Sequence, residues 1–275
     1  MSERYIKVND INICYRIDGS GYPIFLIHGY GGRKEDWVPQ ITTIKNHYKV
    51  ISYDNRCSGK TDKPNKPITM EMFSFDLKSL MEELKIEQAN IIGRSLGGMI
   101  TQQFLVSYPD KVNKAVLINT NYSGEMGGVI VDTTVDSAKN VIKNTERAFW
   151  ENARFLYHTK FRKILKKNPS KKIHGIFSAE DLINNYIERD INPMDLYNQG
   201  YALKNFNIFN KLKEITKPVL LIGASHDRIL PHTQMIEMHK EIPNSRLKIL
   251  YKAGHGSPFS KAPEINNLIL EFLNT

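Results

Sequence analysis

The stretch Ala89–Gly98 constrains the fold of this 275-residue chain more than any other. A short apolar run leads into Gly93, Ser95 and Gly97, spaced as Gly-x-Ser-x-Gly, and a helical pattern follows at once. Glycine is needed on both sides of the serine because a tight strand-to-helix turn brings the backbone too close for side chains. The pattern therefore predicts a serine at the apex of a sharp turn, beside a helix N-terminus that favours negative charge.

Strand-like and helix-like segments alternate on both sides of this turn. The predicted strands are a hairpin over 5–17 and runs at 23–27, 49–54, 89–92, 114–119, 217–223 and 246–250, and the predicted helices span 37–44, 70–84, 96–108 and 233–241 and begin again at 263. Most of these strands are continuously apolar, which is typical of strands covered by helices on both faces. The alternation predicts an α/β fold with a mainly parallel sheet.

The segment 121–216 has a different character, because strand-like runs stop and helical periodicity takes over. We expect a core domain formed by residues 1–120 and 217–275, with 121–216 as a helical insertion over it. Its basic stretch 160–172 is predicted to be the solvated face of a helix, with docking of an anionic substrate or membrane surface as the alternative. The apolar residues expected to line or close a pocket over Ser95 are Met126, Phe155, Phe161, Tyr186, Met194, Tyr197 and Tyr201.

Composition narrows the classes of function. The formal net charge is +9 and the pI about 9.3, but the basic residues are dispersed and no nucleic-acid-binding motif accompanies them, so we expect no nucleic-acid partner. Only Cys14 and Cys57 are present, which argues against a structural zinc site and favours a reducing compartment. Neither a signal-like start nor a long apolar run occurs. We expect a cytoplasmic monomer or homodimer, without metal, cofactor or stable membrane insertion.

Residues suited to nucleophilic catalysis follow the ends of the predicted strands. Ser95 follows one buried strand, Asp227 follows the strand after the insertion, and His255 follows the last strand. Because ligands bind outside the carboxyl ends of parallel strands, these side chains are expected at one edge of the sheet. A serine hydroxyl attacks well only when an imidazole takes its proton and a carboxylate fixes that imidazole's tautomer. The chain order Ser…Asp…His therefore predicts a catalytic triad.

The sequence resembles the α/β-hydrolase superfamily over residues 5–120 and 217–275. The motifs that carry the resemblance are His28-Gly29, Asp54-x-Arg56, Gly93-x-Ser95-x-Gly97-Gly98, Gly223-x-x-x-Asp227-x-x-x-Pro231 and Gly254-His255. The resemblance implies an eight-stranded, mainly parallel sheet with helices on both faces, and a helical cap (lid) at 121–216. It also implies that Ser95 is the nucleophile, His255 the general base and Asp227 its orienting acid. The oxyanion hole would consist of the backbone N–H groups of Tyr30 and Leu96.

Several motif residues are expected to support the site without taking part in proton transfer. His28 and Gly29 are predicted to shape the oxyanion loop after the first buried strand. Asp54 and Arg56 are predicted to form a pair that braces the loop after the second. Arg94 stands where relatives often carry histidine, and its role is open.

The sequence favours a serine hydrolase that cleaves a small carboxylic ester through an acyl-enzyme, without a cofactor. A lactonase, a C–C bond hydrolase and a cofactor-free perhydrolase would use the same triad; the last two often carry methionine where Leu96 stands, which disfavours both. Residues 119–121 follow the fourth buried strand and include no carboxylate, so Asp227 has no local rival. The alternative outside the enzymes is a non-hydrolytic small-ligand receptor, but such proteins commonly lose a triad member and here none is missing.

Overall fold

The computed structural model describes residues 2–125, 127–141, 145–189 and 192–275. The strands are β1 Arg4–Val8, β2 Ile11–Asp18, β3 Pro23–Ile27, β4 Lys49–Tyr53, β5 Ala89–Arg94, β6 Val112–Ile118, β7 Val219–Ala224 and β8 Ser245–Leu250. They form one eight-stranded sheet in the order β1-β2-β4-β3-β5-β6-β7-β8. β2 is antiparallel to β1 and β4, and the other neighbouring pairs are parallel. The predicted mainly parallel, eight-stranded sheet is confirmed.

Helices cover both faces of this sheet. The α-helices are α1 Val38–Ile44, α2 Met70–Glu83, α3 Leu96–Ser107, α4 Gly127–Val141, α5 Thr145–Leu156, α6 Thr159–Lys167, α7 Ala179–Ile187, α8 Pro193–Asn205, α9 Thr233–Glu241, α10 Ser257–Ser260 and α11 Ala262–Asn274. Short 3₁₀-helices occur at Lys34–Trp37, Pro109–Lys111 and Phe209–Glu214. α2, α3 and α9 share a core with one face of the sheet, and α1 and α11 share a second core with the other face.

The central strand β3 shows why helices pack on both faces of the sheet. Its side chains alternate, so that Phe25 and Ile27 enter the core beneath α2 and α3 while Ile24 and Leu26 enter the core beneath α1 and α11. All four are fully buried. Burial of each such side chain contributes about 1.5–3 kcal/mol. A continuous apolar run therefore stabilises a strand only where helices cover both of its faces.

The parallel strands end close together at one edge of the sheet. The paired residues nearest that edge are Ile27 with Gly93, Arg94 with Ile118, Ile118 with Ile222 and Ala224 with Leu250. The loops that follow β3, β5, β6, β7 and β8 therefore leave the sheet side by side. This edge is the one at which the sequence predicts the catalytic residues.

A few boundaries differ from the sequence prediction. β6 begins at Val112, two residues early, α1 begins at Val38 after a 3₁₀ turn, and α11 begins at Ala262 behind the separate short helix α10. The local sequence specifies the ends of helices and strands only weakly, since the terminal turn of a helix adopts α or 3₁₀ geometry according to its tertiary contacts. The predicted order and type of the core elements hold.

Two buried ion pairs hold the loop that follows β4. Lys34 Nζ lies 2.9 Å from Asp54 Oδ2, and both side chains are almost completely buried. Arg56 binds Asp76 of α2 through Nε and Nη2, at 2.6 and 2.7 Å. The prediction that Asp54 and Arg56 pair with each other is wrong. The two side chains leave the loop in different directions, and each braces it against a different neighbouring element.

The segment between β6 and β7 supplies α4 to α8 and, in its described part, no strand of the sheet. α5, α6 and α7 contribute to a hydrophobic cluster of their own that includes Phe149 and Leu182. α4 and α8 instead join the main core through Val131 and Leu203. The helical character of the insertion is as expected, and the division of the chain at 120/121 and 216/217 stays a prediction.

Four of the apolar insertion residues predicted to line or close a pocket face outwards instead. The exposed fractions are 54% for Phe155, 49% for Met194, 55% for Tyr197 and 45% for Tyr201. The last three share one face of α8 by their spacing, and the opposite face of that helix is buried. Phe161 and Tyr186 belong to the insertion's own cluster. Met126 lies outside the described residues.

The basic stretch 160–172 is an amphipathic surface segment, as predicted. α6 buries Phe161 and Leu165, and the lysines of the stretch are exposed. In the described part of the chain, no helix combines the length and the apolar character needed to cross a bilayer.

We expect Asp76→Ala to lower the free energy of unfolding by about 3–5 kcal/mol, because the substitution leaves the buried Arg56 guanidinium without its bidentate partner. Urea unfolding followed by circular dichroism measures the change. As a matched control, Glu82→Ala removes an exposed carboxylate of the same helix, which binds Lys78 at 2.9 Å. That variant should lose less than about 1 kcal/mol. Equal losses in the two variants would contradict the stabilising role of the buried pair.

Candidate active site

Ser95 occupies the turn between β5 and α3 in a strained backbone conformation. Its φ of 53° with a ψ of −123° is rare for any residue other than glycine. The end of β6 holds the turn on both sides, because Ser95 N donates to Ile118 O at 3.0 Å and Thr120 Oγ1 donates to Ser95 O at 2.8 Å. The Ser95 side chain is partly exposed at the edge of the sheet.

The two glycines around Ser95 are required by close packing. A Cβ on Gly97 would overlap the carbonyl oxygen of Ile27 at the end of β3, and a Cβ on Gly93 would overlap the carbonyl oxygen of Gly97. No rotamer change relieves an overlap with backbone atoms. The Gly-x-Ser-x-Gly spacing therefore follows from the contact between β5, α3 and β3.

Asp227 and His255 are joined in the loops that follow β7 and β8. His255 Nδ1 lies 2.7 Å from Asp227 Oδ2, and both side chains are buried. The other carboxylate oxygen, Oδ1, accepts hydrogen bonds from the backbone N–H groups of Ile229 and Leu230, each at 2.9 Å. The carboxylate is thus held through both of its oxygens. Because it can only accept a hydrogen bond, we assign the ring proton to Nδ1, which leaves Nε2 able to accept a proton.

Asn119, directly after β6, connects the histidine loop to the end of that strand. Its Nδ2 donates to the backbone oxygen of His255 at 2.9 Å and to Ser257 Oγ at 2.7 Å. The hydrogen bonds of His255 among the described residues involve Nδ1 and its backbone oxygen, and Nε2 remains available for Ser95 Oγ. Such bonds often shorten only in the substrate complex. In the sequence, Asn119 is noted only because position 119 holds no carboxylate. Its position directly after a buried strand is the signal that could have indicated its role in holding the histidine loop.

The predicted oxyanion donors flank Ser95. Leu96 is the first residue of α3, so its N–H has no partner within the helix. Tyr30 follows Gly29 in the loop after β3, and a Cβ on Gly29 would lie 3.2 Å from Ser95 Cβ. Leu96 and the loop that carries Tyr30 thus lie next to the serine, and the role of the two N–H groups as oxyanion donors stays a prediction.

His28 braces two loops, and both of its ring nitrogens are engaged. Nε2 accepts a hydrogen bond from Asn55 N at 3.0 Å, and Nδ1 donates to Gly29 O at 2.8 Å. Burial lowers the pKa of His28, although Asp54 opposes the shift. The neutral imidazole uses both ring nitrogens in hydrogen bonds that connect the loop after β3 to the loop after β4, so neither nitrogen is left for proton transfer.

The helical insertion contacts the loops around Ser95. Tyr30 Oη donates to Leu196 O of α8 at 2.8 Å. Gln199 of α8 accepts from Gly31 N at 3.4 Å and donates to Ser58 Oγ at 2.9 Å, which connects the oxyanion loop with the loop after β4. No sequence motif marks Gln199, because its partners come from two loops that are far from it in the chain.

Three charged side chains cluster at the junction of β5, the 3₁₀-helix at Lys34–Trp37 and the segment after α7. Asp36 is buried and accepts from Arg189 Nη2 at 2.6 Å and from Asn185 Nδ2 at 3.1 Å. Burial lowers the pKa of Arg94, and Asp36 opposes that shift. An arginine pKa starts so high that the Arg94 guanidinium remains charged.

One cavity next to the oxyanion loop does not include these catalytic candidates in its wall. It measures about 390 Å³ and is bordered by the oxyanion loop, the loop after β4 and α8, with Lys34, Asp54, Arg189 and Gln199 in its wall. Ser95, Asp227 and His255 do not line it. The hydrogen-bonded pair and the strained serine, rather than the cavity, identify the candidate site. Within the described part of the chain, no three acidic, histidine or cysteine side chains form a metal-binding group.

Known proteins resemble this chain over almost its whole length. A protein of Agrobacterium fabrum that carries the name carbamate hydrolase RutD is 24% identical over 265 residues, covering 94% of this chain and 95% of the relative. A Mycobacterium tuberculosis protein with the name non-heme bromoperoxidase BpoC is 27% identical over 268 residues, covering 95% and 97%. The crystal structure of an enol-lactonase from Burkholderia xenovorans LB400 superposes with a TM-score of 0.82 at 23% identity, covering 99% of this chain and 100% of that one.

The family comparison covers the same elements as the site. The model of the alpha/beta hydrolase fold family matches residues 22–262, which include β3 to β8 and the loops that carry Ser95, Asp227 and His255. With the strand order, the strained serine turn and the carboxylate–histidine hydrogen bond, this match assigns the chain: it belongs to the alpha/beta hydrolase fold family.

Proposed function

We propose that this protein is a serine hydrolase that cleaves a small carboxylic ester through an acyl-enzyme intermediate. The observation that carries the proposal is the 2.7 Å hydrogen bond between His255 Nδ1 and Asp227 Oδ2. This bond lies at the edge of the sheet where Ser95 protrudes from its turn. A fixed carboxylate, a histidine with a free Nε2 and a serine on a strained turn are the components that acyl transfer needs.

Acylation begins when Ser95 Oγ attacks the ester carbonyl carbon and His255 Nε2 takes the hydroxyl proton. Asp227 stabilises the resulting imidazolium through Nδ1. The carbonyl oxygen becomes negatively charged and accepts hydrogen bonds from the backbone N–H groups of Tyr30 and Leu96. Each such donor contributes about 3 kcal/mol to the stability of the transition state. Collapse of the intermediate breaks the C–O bond, and His255 gives its proton to the departing alcohol.

Deacylation repeats these steps with water as the nucleophile. His255 Nε2 removes a proton from water, and the hydroxide attacks the acyl carbon bound to Ser95. The same two N–H groups stabilise the second oxyanion. The acid is released, Ser95 Oγ regains its proton from His255, and no cofactor is consumed.

Family membership supports hydrolytic chemistry, and the choice of an ester is ours. An alkoxide or phenoxide leaving group requires one proton, which His255 supplies. One relative is named as a carbamate hydrolase, so aryl carbamates belong in the same substrate panel. A higher kcat/KM for a carbamate than for the matched ester would replace the ester in this proposal. We retain a cytoplasmic monomer or homodimer with a small-molecule substrate and no nucleic-acid partner as parts of the proposal.

We expect a fluorophosphonate probe to label the wild-type protein and to fail to label Ser95→Ala, because the probe reacts with an activated serine hydroxyl. Labelling is read by gel fluorescence, and the modified peptide is identified by mass spectrometry. Ser170→Ala is the matched control, since Ser170 is exposed in the insertion. It should label like the wild type. Equal labelling of Ser95→Ala and wild type would refute Ser95 as the nucleophile.

Asp227→Asn should lower kcat for a 4-nitrophenyl ester by about 10⁴-fold, because an amide in this position favours the wrong tautomer of the histidine. Stopped-flow or steady-state release of 4-nitrophenol measures the effect. Asp132→Asn removes an exposed carboxylate that pairs with Lys204, and its kcat should stay within about twofold of wild type. A loss below tenfold in Asp227→Asn, with circular dichroism unchanged, would exclude Asp227 as the orienting acid.

A further inference from the structure

Arg94 places a guanidinium directly beside the proposed nucleophile. It is the last residue of β5 and precedes Ser95. A Cβ on Gly29 would lie 3.7 Å from Arg94 Nε and 3.2 Å from Ser95 Cβ. The guanidinium and the serine therefore lie on the same side of Gly29, against the oxyanion loop. The Arg94 residue as a whole is partly exposed.

Among the described residues, the Arg94 guanidinium has no hydrogen-bond or ion-pair partner. Its Nη1 is buried without a hydrogen-bond acceptor, and no ion pair or side-chain hydrogen bond of Arg94 occurs among the described residues. Other buried cations are paired, as Lys34 is with Asp54 and Arg56 is with Asp76. A buried charged donor without an acceptor destabilises the folded protein more than a buried neutral donor does. Arg56 also has one buried nitrogen without an acceptor, but its other nitrogens bind Asp76 and Asp10. Arg94 lies beside the serine with no such partner among the described residues, which points to a ligand that supplies the acceptor.

The charges around Arg94 also favour an anion. Asp36 and, to a smaller extent, Asp227 are the acidic groups that act on Arg94. The Asp36 carboxylate already accepts hydrogen bonds from Arg189 and Asn185, and the Asp227 carboxylate is engaged by His255 and by two backbone N–H groups. Arg189 Nε is itself buried without an acceptor. Both carboxylates are therefore engaged by other donors, and neither of them accepts a hydrogen bond from Arg94. A carboxylate of a bound molecule would satisfy the open donor of Arg94.

We propose that Arg94 binds a carboxylate of the substrate, so that the preferred ester also carries a free carboxylate. The planar fork of N–H donors in arginine matches a carboxylate in geometry and charge, which lysine does not reproduce. This inference rests on the proposed serine hydrolase function and specifies its substrate class. The carboxylate belongs either to the acyl group, as in the half ester of a dicarboxylic acid, or to the alcohol, as in an acylated hydroxy acid.

The test compares esters that differ only in charge. For the acyl side, 4-nitrophenyl half esters of succinate, glutarate and adipate are paired with the corresponding carboxamides, after subtraction of the enzyme-free rate. For the alcohol side, 4-acetoxybenzoate is paired with 4-acetoxybenzamide. The measured quantity is the ratio of kcat/KM for carboxylate over carboxamide, determined within each protein so that a general loss of turnover cancels.

In the wild type we expect this ratio to be about 10–100 in one of the two arms, as a charge-assisted hydrogen bond predicts. Arg94→Gln should bring the ratio to about 1, mainly through KM, and Arg94→Lys should retain part of it. Arg154→Gln removes an exposed guanidinium of the insertion and should leave the ratio at the wild-type value. This control separates local binding from the change in net charge.

Three results would overturn the proposal. The first is a wild-type ratio at or below 1 in both arms, and the second is an unchanged ratio in Arg94→Gln. If Arg94→Gln does not fold, inhibition of the wild type by free glutarate and by glutaramide decides instead, and equal inhibition is the third. Turnover of the neutral esters with labelling of Ser95 keeps the hydrolase function intact in each of these cases. Absence of both turnover and labelling would overturn the hydrolase function and the carboxylate preference together.

Discussion

The contact between the β5–α3 turn and the end of β3 is the constraint on which the candidate site depends. Gly97 packs on the Ile27 carbonyl oxygen, and Gly93 packs on Gly97, with no space for a side chain at either position. This contact fixes where α3 begins, and so it fixes the strained Ser95 and the free N–H of Leu96. Strain of this kind persists only where the surrounding structure over-determines the backbone. Here the doubly covered sheet provides that support.

Most of the charged side chains near this contact form ion pairs that hold loops in place, whereas Arg94 does not. Lys34 with Asp54, and Arg56 with Asp76, form ion pairs in the interior and stiffen the loop after β4. Arg94 lies beside the serine with a buried donor left open. Natural proteins satisfy buried polar groups almost everywhere, and exceptions concentrate at functional sites. Arg94 differs from Lys34 and Arg56 in having no ion pair among the described residues and in lying beside the serine.

The insertion affects the site through its contacts with the catalytic loops and not through the aromatic residues that its sequence highlights. Tyr30 and Gln199 tie α8 to the oxyanion loop, whereas Tyr197 and Tyr201 face outwards. Helical periodicity identifies two faces of α8 but does not say which one meets the core. That choice depends on α4 and the main core, whose residues are distant in sequence. Aromatic content alone is therefore a poor guide to the lining of a site.

The sequence by itself determined the order of strands and helices, the turn at Ser95 and the edge of the sheet at which Asp227 and His255 lie. Hydrophobic periodicity and glycine spacing are local features of the sequence, and the position of loops after parallel strands follows from the chain topology. Tertiary structure decided the partners. Asp54 pairs with Lys34, Arg56 pairs with Asp76, and Asn119 holds the loop of His255. Among the described residues it also left Arg94 without an ion pair, since a charged side chain finds a partner only when distant segments pack together. The sequence thus located the candidate catalytic residues, while packing decided what surrounds and orients them.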